Sequence, residues 1–422
     1  MSTKFLMRFA LLLFFTIGEV ASHVTYAQFV YRGFRITNKR TKRVEIPFEM
    51  HSNLIVVPVR VNEAEHELKF ILDTGVRTAI LTDDIYVEGV PSPNDRVIHL
   101  MGAGKEGEIS AFVSNNISFA LPEGVEAEGN AMLVLQEDYL QLDNHLGVRI
   151  HGILGYEIFS RFVVEVDYMN QQLTLHRPEH FKPRSSYREF SMSIEDTKPY
   201  LSDVKLKVND TTYVPIKLMV DTGASHSLLL NTSSHPKITV PEKNLSGYLG
   251  RGLSGEIYGS LGRIGGLKLA DYELEGIITS FPEDSSMILP AQSETMHNGN
   301  MGGSVLKRFR VVFDYANQKM YIKKNRLFRK DFEYNMSGME LIATGPLLSL
   351  LYISKITDDT PAERAGLLEG DMIISINGRR PPELDLGMFS ALVNKRPGKR
   401  IRVKVLRNGK ELKKTFRLER VL

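Results

Sequence analysis

The chain has 422 residues, enough for roughly two to four domains with real cores, and its composition is that of an ordinary globular protein. Its 53 Lys and Arg against 50 Asp and Glu leave a formal charge of +3, which excludes the basic footprint of a nucleic-acid binder or a polybasic membrane patch. With no cysteine, disulfides, Cys-ligated zinc, iron–sulfur clusters, thiol catalysis and lipid attachment through an N-terminal Cys are excluded as well.

Lys4 and Arg8 precede the apolar residues 9–18, and a polar stretch then ends in Thr25-Tyr26-Ala27. This is the layout of a secretory signal peptide, so residues 1–27 are expected to be removed before Gln28 and the product exported, periplasmic or secreted. The apolar run stops at Glu19, short of the ~20 residues that span a bilayer, and no stable membrane span is expected after cleavage.

Beyond the leader the chain repeats itself. Lys69-Phe70-Ile71-Leu72-Asp73-Thr74-Gly75 matches Lys217-Leu218-Met219-Val220-Asp221-Thr222-Gly223 at an offset of 148. The glycine block Gly102, Gly104, Gly107 recurs as Gly250, Gly252, Gly255 at the same offset. Arg161-Phe162, Val166-Asp167-Tyr168 and Asn170-Gln171 return as Arg308-Phe309, Phe313-Asp314-Tyr315 and Asn317-Gln318 at an offset of 147. Three blocks in one order and register define two copies of one lobe, spanning 45–180 and 186–325.

Each copy reads as β structure. Leu54–Val61 and 200–208 alternate as strands, and 161–175 and 308–322 read as hairpins turning near Asn170-Gln171 and Asn317-Gln318. Pro178 and Pro183 mark the boundary between copies, and the basic run 323–330 reads as a solvated linker or short helix.

One Asp-Thr-Gly means little, but two, each ending an apolar strand at the same place in a duplicated lobe, mean more. A pseudo-twofold axis between the lobes would bring Asp73 and Asp221 together. Two carboxylates about 3 Å apart cannot both ionise, so they share a proton and can act as base and acid on a water and a peptide bond. Gly75 and Gly223 let backbone N–H groups approach the carboxylates, and Thr74 and Thr222 can fix the loops by hydrogen bonds across the axis.

On these residues, region 45–325 resembles the pepsin/retropepsin-like aspartic peptidases in their two-lobed, single-chain arrangement. The resemblance implies a mainly β fold of two pseudo-symmetric acid-protease β-barrel lobes, with Asp73 and Asp221 catalytic and no metal or cofactor required. It implies two apolar or neutral residues and a Gly behind each Asp loop; Ile153-Leu154-Gly155 matches well, whereas Asn300-Met301-Gly302 matches poorly, although its Gly sits at the repeat offset. It implies a flap, assigned to the blocks 102–107 and 250–255. The second loop continues Ala224-Ser225, whose hydroxyl can bond the carboxylate, but the first continues Val76-Arg77-Thr78. Arg77 either points outward or sits near Asp73 and favours its ionised form, with Thr78 as the substitute hydroxyl. A first lobe that has degenerated, leaving a silent peptide-binding adaptor, is the alternative.

The same glycine blocks spell Gly-x-Gly-x-x-Gly, but a strand-like segment follows each where a dinucleotide site needs a helix. His176 and His180 are separated by Pro178, which breaks the helix that would align them on a metal. His226 reads as a loop histidine. Neither Ser254 nor Ser304 sits in a nucleophile elbow.

The last eighty or so residues have no copy elsewhere. Thr360-Pro361 with Glu363 and Gly366 reads as a capped helix, followed by the strand Met372–Ile376, the turn Asn377-Gly378, a helix near 386–394 and a hairpin at Asn408-Gly409. This stretch resembles a PDZ domain of the kind found in bacterial exported proteases, a small α+β module spanning 337–422. The resemblance places a peptide carboxylate at the loop of Gly345, Leu347 and Leu348. It adds an extended peptide or protein tail beside 351–356, near Phe389 and Leu392. The expected partners are peptide or protein substrates, with no nucleic acid.

Overall fold

Alternation in the apolar segments becomes strands with one wholly dry face. In Leu54–Val61, residues Ile55, Val57, Val59 and Val61 are fully buried, and Val214, Ile216, Leu218 and Val220 repeat the pattern in Tyr213–Val220. Burial of each such side chain is worth roughly 1.5–3 kcal/mol against leaving it exposed. The computed structural model describes residues 32–92, 94–209, 211–283 and 296–422; the expected leader 1–27 lies outside the described residues.

The architecture is mainly β. Among the described residues there are sheets of nine, eight, six and five strands. In the nine-stranded sheet, Leu68–Leu72 pairs antiparallel with Leu54–Val61 and parallel with Gly152–Leu154. In the eight-stranded sheet, Tyr213–Val220 pairs antiparallel with Lys198–Lys207 and parallel with Gly299–Met301. The duplicated sequence thus produces duplicated topology.

The six-stranded sheet joins the copies. Val163–Asp167 pairs antiparallel with Phe309–Asp314, placing Val166 opposite Val311. Each continues as a hairpin, to Gln172–His176 and Lys319–Lys324. Gln171 and Gln318 take φ of 50° and 52° in the turns, while Asp167 and Asp314 accept from Asn170 and Asn317. That is the physical reason for the repeated Asp-Tyr and Asn-Gln pairs.

Pairing starts before residue 45: Arg32–Ile36 joins Val125–Leu135 and Arg43–Pro47 joins Gln172–His176. The basic run also differs from its expected form. Lys323 and Lys324 complete a strand, and the turns that follow are pinned by the buried Arg308. Its guanidinium donates to Leu327 O at 3.0 Å and Asp331 O at 3.2 Å and lies 3.5 Å from the Phe332 ring centre. A buried cation satisfied by backbone carbonyls replaces the solvated linker.

The C-terminal sheet runs in the order Met339–Thr344, Leu350–Ile356, Met372–Ile376, Arg400–Arg407, Lys410–Arg417, over its own hydrophobic cluster. Asp385 caps the helix Leu386–Val393, accepting from Met388 N–H at 2.7 Å. At Pro361–Arg364 the expected capping box is shifted: Glu363 accepts from Asp359 N–H at 2.9 Å, and Thr360 Oγ1 donates to Thr357 O. Val421 and Leu422 then leave this unit and pack into the cluster of the two lobes, which also holds Phe332. Among the described residues no helix is long and apolar enough to cross a membrane.

Candidate active site

Each Asp loop hangs from the parallel strand behind it. Asp73 N–H donates to Leu154 O and Asp221 N–H to Met301 O, both at 2.9 Å. The chain must pass close here: a Cβ on Gly155 would lie 2.2 Å from Asp73 O, and one on Gly302 2.4 Å from His226 O.

The threonines join the loops reciprocally. Thr74 N–H donates to Thr222 Oγ1 at 3.0 Å and Thr222 N–H to Thr74 Oγ1 at 3.1 Å. Their hydroxyls donate onward to Val220 O at 2.6 Å and Leu72 O at 2.8 Å. Both residues are 1% exposed, so four bonds are made out of water, each worth about 1 kcal/mol net.

This clamp brings the carboxyls of Asp73 and Asp221 within hydrogen-bonding reach. Gly75 N–H donates to Asp73 Oδ1 at 2.6 Å and Gly223 N–H to Asp221 Oδ1 at 3.0 Å. A Cβ on Gly223 would stand 2.1 Å from Asp73 Cγ, so glycine is the only residue that leaves room for the pair. Burial raises both carboxyl pKa values, and the Asp73 charge pushes Asp221 further, to about 8. The loop N–H groups and the Lys198 charge pull the other way. Such a pair holds one proton over a broad range of pH.

Asn300, the residue that departs from the apolar pattern, donates from Nδ2 to Asp221 Oδ2 at 3.2 Å. Its repeat counterpart is Ile153, which has no donor. Sequence reasoning passed over this residue, although a polar side chain at an apolar repeat position was the available signal. Arg77 is exposed and faces Asp196 at 3.6 Å, turned away from the pair. Thr78 and Ser225 were expected to bond the carboxylates, but neither hydroxyl does; the loop N–H groups and Asn300 are the donors that the two carboxyls meet. Ser225 is exposed instead. His226 is half-buried, with Nε2 out of water, and neutral, its pKa lowered to about 4 by desolvation.

The glycine blocks form the tips of two hairpins, Arg96–Leu100 with Ile109–Leu121 and Asn244–Gly252 with Gly255–Leu269. The tips meet. Gly102 N–H donates to Ser254 Oγ at 2.9 Å, Ser254 N–H to Ala103 O at 3.0 Å and Glu106 N–H to Ser254 O at 2.7 Å. Arg251 pairs with Glu106 at 2.9 Å. A Cβ on Gly104 would lie 2.2 Å from Ser254 C, and one on Gly252 2.3 Å from Ala103 O. Leu253 packs into a cluster that holds Ile153 and Val76, beside the Asp73 loop.

Residues 204–305, which include the Asp221 loop and Gly302, match the aspartyl protease family, and residues 336–418 match the PDZ domain family. The chain carries a protease-family domain and a C-terminal PDZ domain. It is 28% identical over 167 residues to "Serine protease Do-like HtrA" of Bacillus subtilis (strain 168), covering 38% of this chain and 32% of that protein. It is 32% identical over 105 residues to "Serine protease HTRA1" of Xenopus laevis, covering 25% and 20%. The chain therefore spans a third or less of the length of these relatives.

The PDZ domain corrects the expected peptide edge. Leu350–Ile356 lies between Met339–Thr344, which pairs along its length, and Met372–Ile376, which meets it at Tyr352, so it is an interior strand. Gly345, with φ of 73°, and Leu347, 92% exposed, lie in the turn joining the first two strands; Leu348 packs on the domain core. Phe389 and Leu392 belong to that core too. The strands with an unpaired edge are Met339–Thr344 and Lys410–Arg417, and of these the first is contacted by the helix Leu386–Val393. The first-lobe helix Leu142–Leu146 lies against Met339–Thr344, and a Cβ on Gly147 would meet Leu386 Cγ at 3.2 Å. On the neighbouring strand, Lys355 reaches Glu256 at 3.9 Å and lies 5.7 Å from the Tyr248 ring centre.

Proposed function

We propose that the chain is an exported aspartic endopeptidase with lobes near 45–180 and 186–325, whose PDZ domain (337–422) recruits or orients protein substrates. The observation that carries this reading is the reciprocal Thr74–Thr222 clamp holding Asp73 and Asp221 together. Asp73, the more readily ionised partner, takes a proton from water as the oxygen attacks the peptide carbonyl. Asp221 gives its proton to the carbonyl oxygen, forming a geminal diol. Asp73 then protonates the leaving nitrogen while a diol hydroxyl returns a proton to Asp221, the C–N bond breaks and the pair is restored. The two hairpin tips serve as flaps that open for substrate and close to exclude water. Removal of 1–27 would deliver the enzyme to the periplasm or outside the cell.

The test is cleavage of an unbiased peptide mixture by residues 28–422 between pH 3.5 and 8.5, beside Asp73→Asn and Asp221→Asn. Activity is expected to follow a bell, its alkaline limb near the upper carboxyl pKa of about 8, and to drop by at least about a thousandfold in each variant. Cleavage that survives either substitution would end the two-carboxyl reading.

A further inference from the structure

The two halves of the pair are not equal. In an exact duplication, 153 and 300 would carry the same side chain beside their respective aspartates. Ile153 offers Asp73 only apolar surface, whereas Asn300 Nδ2 reaches Asp221 Oδ2 at 3.2 Å. Asp221 therefore accepts two donors, Gly223 N–H on Oδ1 and Asn300 on Oδ2. Asn300 belongs to Gly299–Met301, whose neighbour Met301 accepts the Asp221 N–H, so the strand that anchors the loop backbone also supplies the donor.

We propose that Asn300 is a positioning residue of the pair, holding Asp221 Oδ2 so that the two carboxyls take fixed and different roles. An amide N–H donates more strongly to a carboxylate than to a carboxylic acid. The bond therefore tightens as Asp221 gives its proton to the substrate carbonyl, and it opposes burial and the Asp73 charge, which hold that proton back. The other groups facing the pair are Lys198, which favours both ionised forms, and Tyr315, whose buried hydroxyl lies without a partner near Asp73. His226, on the Asp221 loop, is neutral. None of these acts on Asp221 alone as a hydrogen-bond donor. The inference rests on the peptidase reading for its role in turnover, but the carboxyl contact can be tested without it.

In the full chain, Asn300→Ile installs the first-lobe residue. It is expected to lower kcat/KM by about tenfold or more with KM little changed, and to move the alkaline limb of the pH profile upward. Asn300→Ala, which adds no bulk, should give the same shift, and Asn300→Ser, which keeps a donor, should recover part of it. Independently of any substrate, carbon-13 NMR titration of the Asp221 carboxyl, assigned by its loss in Asp221→Asn, should show a higher pKa in Asn300→Ile and Asn300→Ala than in the unaltered chain. An unchanged Asp221 titration overturns the inference, whatever the activity. A raised titration in a chain that cleaves no peptide upholds the contact and removes the peptidase reading instead.

Discussion

Asp221 is held in a state that costs the fold something. Its pKa rises from 3.8 to about 8 on folding, chiefly through burial and then through the Asp73 charge. A raised carboxyl pKa means the native state binds more protons than the unfolded one. Its contribution is therefore most favourable below about pH 4 and is lost as pH rises towards 8. Asp221→Asn should remove this penalty. It is expected to stabilise the chain by on the order of 2 kcal/mol at pH 7, with the gain gone at pH 4. Urea unfolding at the two pH values checks it; a gain independent of pH would assign the effect to packing. The aspartates and threonines of this site were legible in the sequence because the repeat places them in register. Asn300 showed there only as a polar residue at an apolar repeat position, because its bond to Asp221 depends on how closely two parallel strands pass, which no spacing reveals.

The paired hairpin tips depend on glycine in a way the sequence only half discloses. Gly-x-Gly-x-x-Gly marks a place where backbone comes close to something, and the partner turns out to be the other copy of the motif. Gly104 has φ of +130° and no room for a Cβ beside Ser254. Gly104→Ala should therefore part the tips. We expect peptide turnover to fall by about tenfold or more, through loss of the closed state, and amide exchange at 101–107 and 251–256 to quicken. Unfolding free energy should change by less than about 1 kcal/mol, since the tips stand at the periphery of their sheets. Unaltered exchange at 251–256 would show that the tips do not hold one another. Strands and hairpins were legible from alternation and turn residues, whereas the meeting of the tips is a contact between distant copies and left no local trace.

At the scale of the molecule, the PDZ domain is built against the two β lobes. Arg308 pins the connection leading to it, Val421 and Leu422 return to the lobe cluster, and Lys355 leans on the second-lobe hairpin through Glu256 and Tyr248. The resemblance made the domain legible, but it placed the peptide beside an interior strand, because strand order comes from pairing across the sheet. One open edge, Met339–Thr344, faces the helix Leu142–Leu146. Asp143 anchors that helix, accepting from Ile150 N–H at 2.6 Å and pairing with Arg149 at 3.2 Å. Asp143→Ala should loosen it. The affinity of the PDZ domain for C-terminal peptides is then expected to rise by about tenfold, with faster amide exchange at 141–147. Equal affinity in both chains would mean that peptides enter elsewhere.

The helix lying along that open edge sets a threshold. A segment tethered in the same chain competes at an effective concentration that reaches roughly millimolar for short connections, so weak tails meet a seat already taken. A ligand adding a strand to Met339–Thr344 would have to displace this helix, and so would act on residues 142–150. Those residues lead directly into Gly152–Leu154, the strand from which the Asp73 loop hangs. The domain's selectivity would then be written partly in the first lobe, on a helix that ends just before the strand supporting the Asp73 loop.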